Sequence, residues 1–138
     1  GEAADLSRAR GVDTTDTVDA ARDAAVALAR YTGGAVVVSG EVDLITDGTT
    51  VAKSHGGSPL MSKITGCGCS QGGVLAVYAC AGDPFTAAIC GTAVYNVAGT
   101  RAAAVADAPA SFKVAFIDEL YRATAQDIAD NRLELEEA

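Results

Sequence analysis

Thr65-Gly66-Cys67-Gly68-Cys69-Ser70 constrains this chain more than any other stretch of it. Glycine and cysteine alternate there, and a long run of small, uncharged residues follows. Glycine tolerates backbone angles that other residues avoid, so the segment reads as a tight turn delivering the chain into a helix. The first N–H groups of that helix have no intrahelical acceptor and carry the positive end of its dipole, which makes the turn a ready anion site. A side chain at the helix start, here Cys69, then stands beside the anion. That arrangement suits phosphoryl transfer, where a protein mainly positions groups and stabilises charge.

The flanking segments give the turn its setting. Val18, Ala21, Ala25, Leu28 and Ala29 recur at helical spacing, with Asp16 as N-cap, Asp19 three residues later and a stop at Thr32-Gly33-Gly34. Ala35-Val36-Val37-Val38 reads as a strand buried on both faces, as in a parallel sheet. Asp43 to Thr46 and Thr49 to Ala52 flank Asp47-Gly48, a hairpin signal. Ser54 to Ile64 reads as a loop, and a helix follows over residues 68–81. Asp83 caps a further helix with Pro84 in its first turn, running to Val105 through small residues that allow close packing. A last helix spans Ser111 to Ile128 with Phe112, Ala115, Phe116, Leu120 and Tyr121 inward, and Asn131 to Ala138 reads as an acidic, frayed tail. About three strands and four helices make an α/β chain, yet so small a sheet under that much helix is incomplete without further strands or a partner.

At 138 residues, 49% hydrophobic and 20% charged, the chain is sized for one globular core. A net charge of −8 argues against nucleic acid or an anionic membrane as partner, although a helix terminus still accepts a nucleotide phosphate locally. No segment approaches the ~20 apolar residues of a membrane span, and the N-terminus does not read as a signal peptide. Gly1 in place of an initiating Met reads as a processing boundary, with sequence expected upstream. Cys67 and Cys69 are too close for an ordinary disulfide, while Cys80 and Cys90 sit in apolar helical patterns as small hydrophobes. A reduced, cytoplasmic setting is the simplest expectation.

Val36-Val37-Val38-Ser39-Gly40-Glu41-Val42-Asp43, Asp47-Gly48, and Gly57-Ser58-Pro59-Leu60-Met61-Ser62-Lys63-Ile64-Thr65-Gly66-Cys67-Gly68-Cys69 together resemble the C-terminal half of the hydroxyethylthiazole kinase family. Asp83-Pro84, Ala93 to Gly99 and Ser111-Phe112-Lys113 continue the likeness, which covers nearly the whole of residues 1–138. The resemblance implies the C-terminal part of a ribokinase-like, three-layer α/β domain. It implies ATP- and Mg²⁺-dependent phosphorylation of the hydroxyethyl alcohol of 4-methyl-5-(2-hydroxyethyl)thiazole, a step of thiamine biosynthesis. It also implies a trimer with active sites between subunits, or a companion chain carrying the N-terminal half.

Residue by residue, the resemblance makes Ser39 the ATP contact, Gly66 the thiazole contact, Gly66, Cys67 and Gly68 the anion hole, and Cys69 the catalytic candidate, a weak base or positioner beside the attacking alcohol. Cys67 departs from the family's usual Thr, and His55-Gly56-Gly57-Ser58 departs from its Asn-Gly-His. Metal ligands are left open: Glu41 and Asp43 are either water-mediated contacts to Mg²⁺ or hairpin charges. His55 is either a solvated loop residue or a substrate contact, and Lys63 either a flexible surface charge or a phosphate neighbour. Two other readings stand beside the kinase. One is a non-catalytic nucleotide-binding or subunit-assembly fragment. The other is a thiol pair, Cys67 and Cys69, serving redox chemistry or a metal, which needs about two further ligands.

Overall fold

The computed structural model describes residues 18–138. The cap expected at Asp16 lies outside them. Helix α1 (Val18–Thr32) ends on Gly33, whose φ of +69° only glycine adopts readily and whose N–H donates to the Ala29 carbonyl at 2.9 Å. There follow β1 (Val36–Val38), β2 (Asp43–Thr46), β3 (Thr50–Ser54), a 3₁₀ helix (Pro59–Lys63), α2 (Cys67–Ala79), α3 (Pro84–Ala103), α4 (Pro109–Arg122), α5 (Ala125–Ala129) and β4 (Leu133–Glu137). The strands form one sheet in the order β1-β2-β3-β4, every neighbour antiparallel.

The hairpin forms where Asp47-Gly48 predicts it. The Asp47 carboxylate accepts from the Thr49 and Thr50 N–H groups, both at 2.8 Å, and the Thr46 hydroxyl accepts from Gly48 N–H at 3.0 Å. Both faces of the central strands are covered. Leu44 and Val51 pack on Ala25 and Val26 of α1, while Ile45 and Ala52 pack on Ala88 and Phe85 of α3. The result is the helix–sheet–helix layering of an α/β domain. A further cluster joins α3 to α4 through Tyr95, Ala98, Ala102, Phe112 and Phe116, with the Tyr95 and Phe116 rings edge to face at 5.0 Å.

Several expectations are corrected. β1 is a half-buried edge strand paired antiparallel with β2, rather than a fully buried parallel strand. The helix read over Ser111 to Ile128 breaks at Ala123-Thr124, because Thr124 and Asp127 form a capping box that starts α5. The supposed frayed tail is β4, registered on β3 from Thr50–Glu137 to Ser54–Leu133. Its glutamates meet cations across the sheet, Glu136 lying 3.6 Å from Lys53 and 3.3 Å from Arg22. Tyr121, read as inward, is exposed, as are Leu28 of the apolar helical repeat and Cys80.

Candidate functional site

The Gly66 turn is built as its composition predicts. Gly66 is the N-cap of α2 at φ +82° and ψ +5°, with no side-chain cap, so its backbone alone opens the helix. No neighbouring atom lies within 4 Å of where a Cβ would stand at Gly66 or Gly68, leaving the approach to the helix start clear. Cys67 N–H donates to the Ile64 carbonyl at 3.3 Å, and the Gly66 carbonyl accepts from Ser70 N–H at 2.8 Å. Among the described residues, the N–H groups of Gly68 and Cys69 find no backbone acceptor. These two donors stand free at the positive end of a thirteen-residue helix, where a negative charge is favoured. Cys67 contributes by fixing the turn, since its amide is already engaged.

A second layer holds that first turn in place. The Ser70 and Tyr95 hydroxyls hydrogen-bond each other at 2.5 Å, and their oxygens lie 2.9 Å and 3.1 Å from the Cys67 carbonyl, which accepts from whichever hydroxyl does not donate to its neighbour. Tyr95 is buried on α3, so the triangle ties the start of α2 to the core. Burial raises both the Tyr95 hydroxyl and the Cys67 thiol above their ordinary pKa values, which keeps both neutral in neutral solution. Cys67 is thus a packed thiol of the turn, whereas Cys69 is exposed one residue past Gly68.

Ile64, Gly66, Cys67, Ser70, Tyr95, Lys113 and Phe116 are among the residues lining a cavity of ≈ 320 Å³ beside the turn. Its walls are largely aliphatic and aromatic, with Ser70, Tyr95 and Lys113 among its polar lining residues. Ser39 and Cys69 are not among its lining residues. Ser39 is exposed directly after β1, in a turn fixed by the Gly40 N–H donating to Asp43 at 2.9 Å. Lys63 closes the 3₁₀ helix and is exposed, outside the cavity. His55 Nε2 lies 3.2 Å from Glu134, and His55 N–H donates to the Arg132 carbonyl, so His55 fastens its loop to the last strand.

Ser70, Tyr95 and Lys113 are neighbours of the site that sequence reasoning missed. Ser70 and Tyr95 were hidden in runs of small residues. Their only signal is helical: Ser70 and Cys67 share a face of α2, three residues apart. Asn96, also missed, is with Thr92 a buried polar residue of a helix read as packing alone. Among the described residues no group of three or more His, Cys, Asp or Glu side chains stands ready to hold a metal. Asp43 has both carboxylate oxygens engaged by N–H donors, from Gly40 and from Asn96, and Glu41 stands exposed.

The family model described as the hydroxyethylthiazole kinase family matches residues 3–126. A hydroxyethylthiazole kinase of Bifidobacterium longum strain DJO10A is 45% identical over 140 residues, covering 91% of this chain and 45% of the relative. One from Roseobacter denitrificans is 46% identical over 111 residues, covering 80% of this chain and 43% of its own length. A solved hydroxyethylthiazole kinase protein from Pyrococcus horikoshii OT3 superposes with a TM-score of 0.78 at 26% identity, over 87% of this chain and 47% of that one. The chain therefore spans about half the length of the curated relatives it matches.

Proposed function

The chain belongs to the hydroxyethylthiazole kinase family, and from that premise we propose that it provides the phosphoryl-transfer half of an ATP-dependent kinase acting on the hydroxyethyl alcohol of 4-methyl-5-(2-hydroxyethyl)thiazole. One observation carries the reading. The Gly66 turn presents the Gly68 and Cys69 amides to open space at the start of α2. Those amides hold the transferring phosphoryl group, and as charge grows on its oxygens they need no reorientation, which is what makes preorganised donors effective. Gly66 permits the turn and lies against the thiazole, with Cys67 and Gly68 shaping the remainder of the anion hole. Cys69 borders the attacking alcohol, as a positioner in its thiol form or, as thiolate, as the weak base that takes the alcohol's proton and becomes the thiol. Ser39, at the end of β1, contacts ATP.

Mg²⁺ enters with the nucleotide. The described residues do not build a cation cage of their own, so no step of the reaction is assigned to a metal ligand of this chain. The remainder of the site is assigned to the half of the family's length that these 138 residues do not span, or to further copies in a trimer. The setting is cytoplasmic, where ATP and reduced thiols coexist.

The test is ATP-dependent phosphorylation of the thiazole alcohol by the chain together with any companion it assembles with. Cys69→Ala is expected to lower turnover at least about tenfold, a floor set below the ~10²–10⁴-fold that a general base typically contributes, with the far-ultraviolet dichroism unchanged. Unchanged turnover removes Cys69 from the chemistry. Nucleotide binding without any turnover replaces the kinase with the non-catalytic fragment.

A further inference from the structure

Asn96 is buried at mid-length of α3, 4% exposed, on a buried helix face made mostly of alanine, glycine and valine with Thr92 and Tyr95 beside it. A polar side chain so placed needs partners, and it has them on two separate segments. Its Nδ2 donates to Asp43 Oδ2 at 2.9 Å and to Ser54 Oγ at 3.0 Å. The other Asp43 oxygen accepts from Gly40 N–H at 2.9 Å, so Asn96 reaches the turn that carries Ser39 through one carboxylate. Its backbone carbonyl accepts from Gly57 N–H at 3.0 Å, which the Thr100 hydroxyl also accepts at 2.9 Å.

The Gly57 side is fitted closely. Gly56 and Gly57 have φ of +129° and +79°. A Cβ at Gly56 would meet Asn96 Cβ at 3.0 Å, and one at Gly57 would meet Asn96 Oδ1 at 3.3 Å. From Gly57 the chain passes through the Ser58 cap and the 3₁₀ helix into Ile64 and the Gly66 turn, with no long loop between. One asparagine therefore touches both routes into the site, the one ending at Ser39 and the one ending at Gly66.

We infer that Asn96 is a positioning residue, which through Asp43 and Gly57 sets the Ser39–Gly40 turn and the Gly66 turn in register for one nucleotide. This rests on the kinase reading above. Asn131 supplies an internal control, because its Nδ2 donates to the same Ser54 hydroxyl at 3.0 Å without touching Asp43 or Gly57.

The experiment is calorimetric binding of MgATP to the full 138-residue chain, with amide hydrogen exchange read at Gly40 and Gly57. Asn96→Ala is expected to raise the Kd for MgATP about tenfold, the scale of one buried hydrogen-bond network opened, and to speed exchange at both glycines. Asn131→Ala is expected to leave Kd and both exchange rates as in the wild type. Should Asn96→Ala not fold, Asp43→Asn, which keeps the volume but mismatches one donor, is expected to shift Kd in the same direction. An unchanged Kd in the folded Asn96 or Asp43 variant overturns the inference, as does equal weakening in the Asn131 variant. A wild-type chain that binds no MgATP overturns the kinase reading itself and takes this inference with it; only the former failures leave wild-type binding intact.

Discussion

Asp43 shows what a single buried carboxylate does to this fold. It is 6% exposed, and loss of hydration raises its pKa above the ordinary aspartate value, while the Gly40 and Asn96 donors pull it down less strongly. A carboxyl whose pKa is higher folded than unfolded contributes stability at a pH below its unfolded value, and loses that contribution as pH rises through its folded value. Asp43→Asn does not titrate, and one of its two terminal atoms becomes a donor facing a donor, at a cost of about 1–3 kcal/mol. Urea unfolding is thus expected to find the variant weaker, with the gap narrowing as pH climbs through the ordinary carboxylate range near ~4 and above. A gap that widens instead contradicts the burial argument. At this scale the sequence was legible where glycine forces geometry, as at Gly66 and Gly48, since φ there admits little else. Asn96 was not legible. Whether an asparagine in an apolar helix caps, faces water or clamps two loops depends on partners distant in the chain, here Asp43 and Gly57.

The elements follow their local signals unless a second signal lies beneath the first. The α3 segment was read as a helix that packs closely, and it does: a Cβ at Gly91 would stand 2.7 Å from the Leu75 side chain of α2, and one at Gly99 would stand 2.9 Å from the Gly57 backbone and 2.6 Å from Met61 Sδ. Gly99 faces main chain that cannot rotate aside. Gly99→Ala is therefore expected to destabilise the fold by about 1–3 kcal/mol through overpacking, outweighing alanine's better helix propensity. Guanidinium unfolding checks this, and a neutral or stabilised variant contradicts so close an approach. The C-terminal elements were misread for a physical reason. The helical period continues from Phe112 through Ile128, so the Thr124–Asp127 capping box passes as surface polarity, although those two residues carry the break. In Leu133-Glu134-Leu135-Glu136 the period of two is present, but Leu135 is 63% exposed, so little burial supports it. Pairing with β3 and the Lys53 and Arg22 contacts hold it as a strand instead.

For the whole molecule, the sheet was expected to be incomplete, and the exposed faces of the described residues are where further cover would attach. Among the described residues β1 has a neighbour on one side only, and its three valines are half-buried along that open edge. Helix α2 carries no charged residue from Cys67 to Ala79, yet Cys69, Gly72, Gly73, Ala76, Val77 and Cys80 are all exposed at helical spacing, Val77 by 70%. Sequence could show that α2 is apolar but not which side would lack cover, because that depends on α3 occupying the opposite face through Gly91 and Leu75. An uncharged stripe beginning at the Gly66 turn is costly to leave in water, so α2 is the face on which a partner is expected. The chain purified alone is accordingly expected to show a native mass that is a multiple of 13.8 kDa. Val77→Glu places a charge at a position exposed in the single chain, where it does not disturb the fold, but where it opposes burial against a partner. That variant is expected to return a 13.8 kDa species with unchanged dichroism. A wild-type chain that is monomeric by native mass spectrometry, or a Val77→Glu variant that still assembles, excludes this face of α2 from the contact.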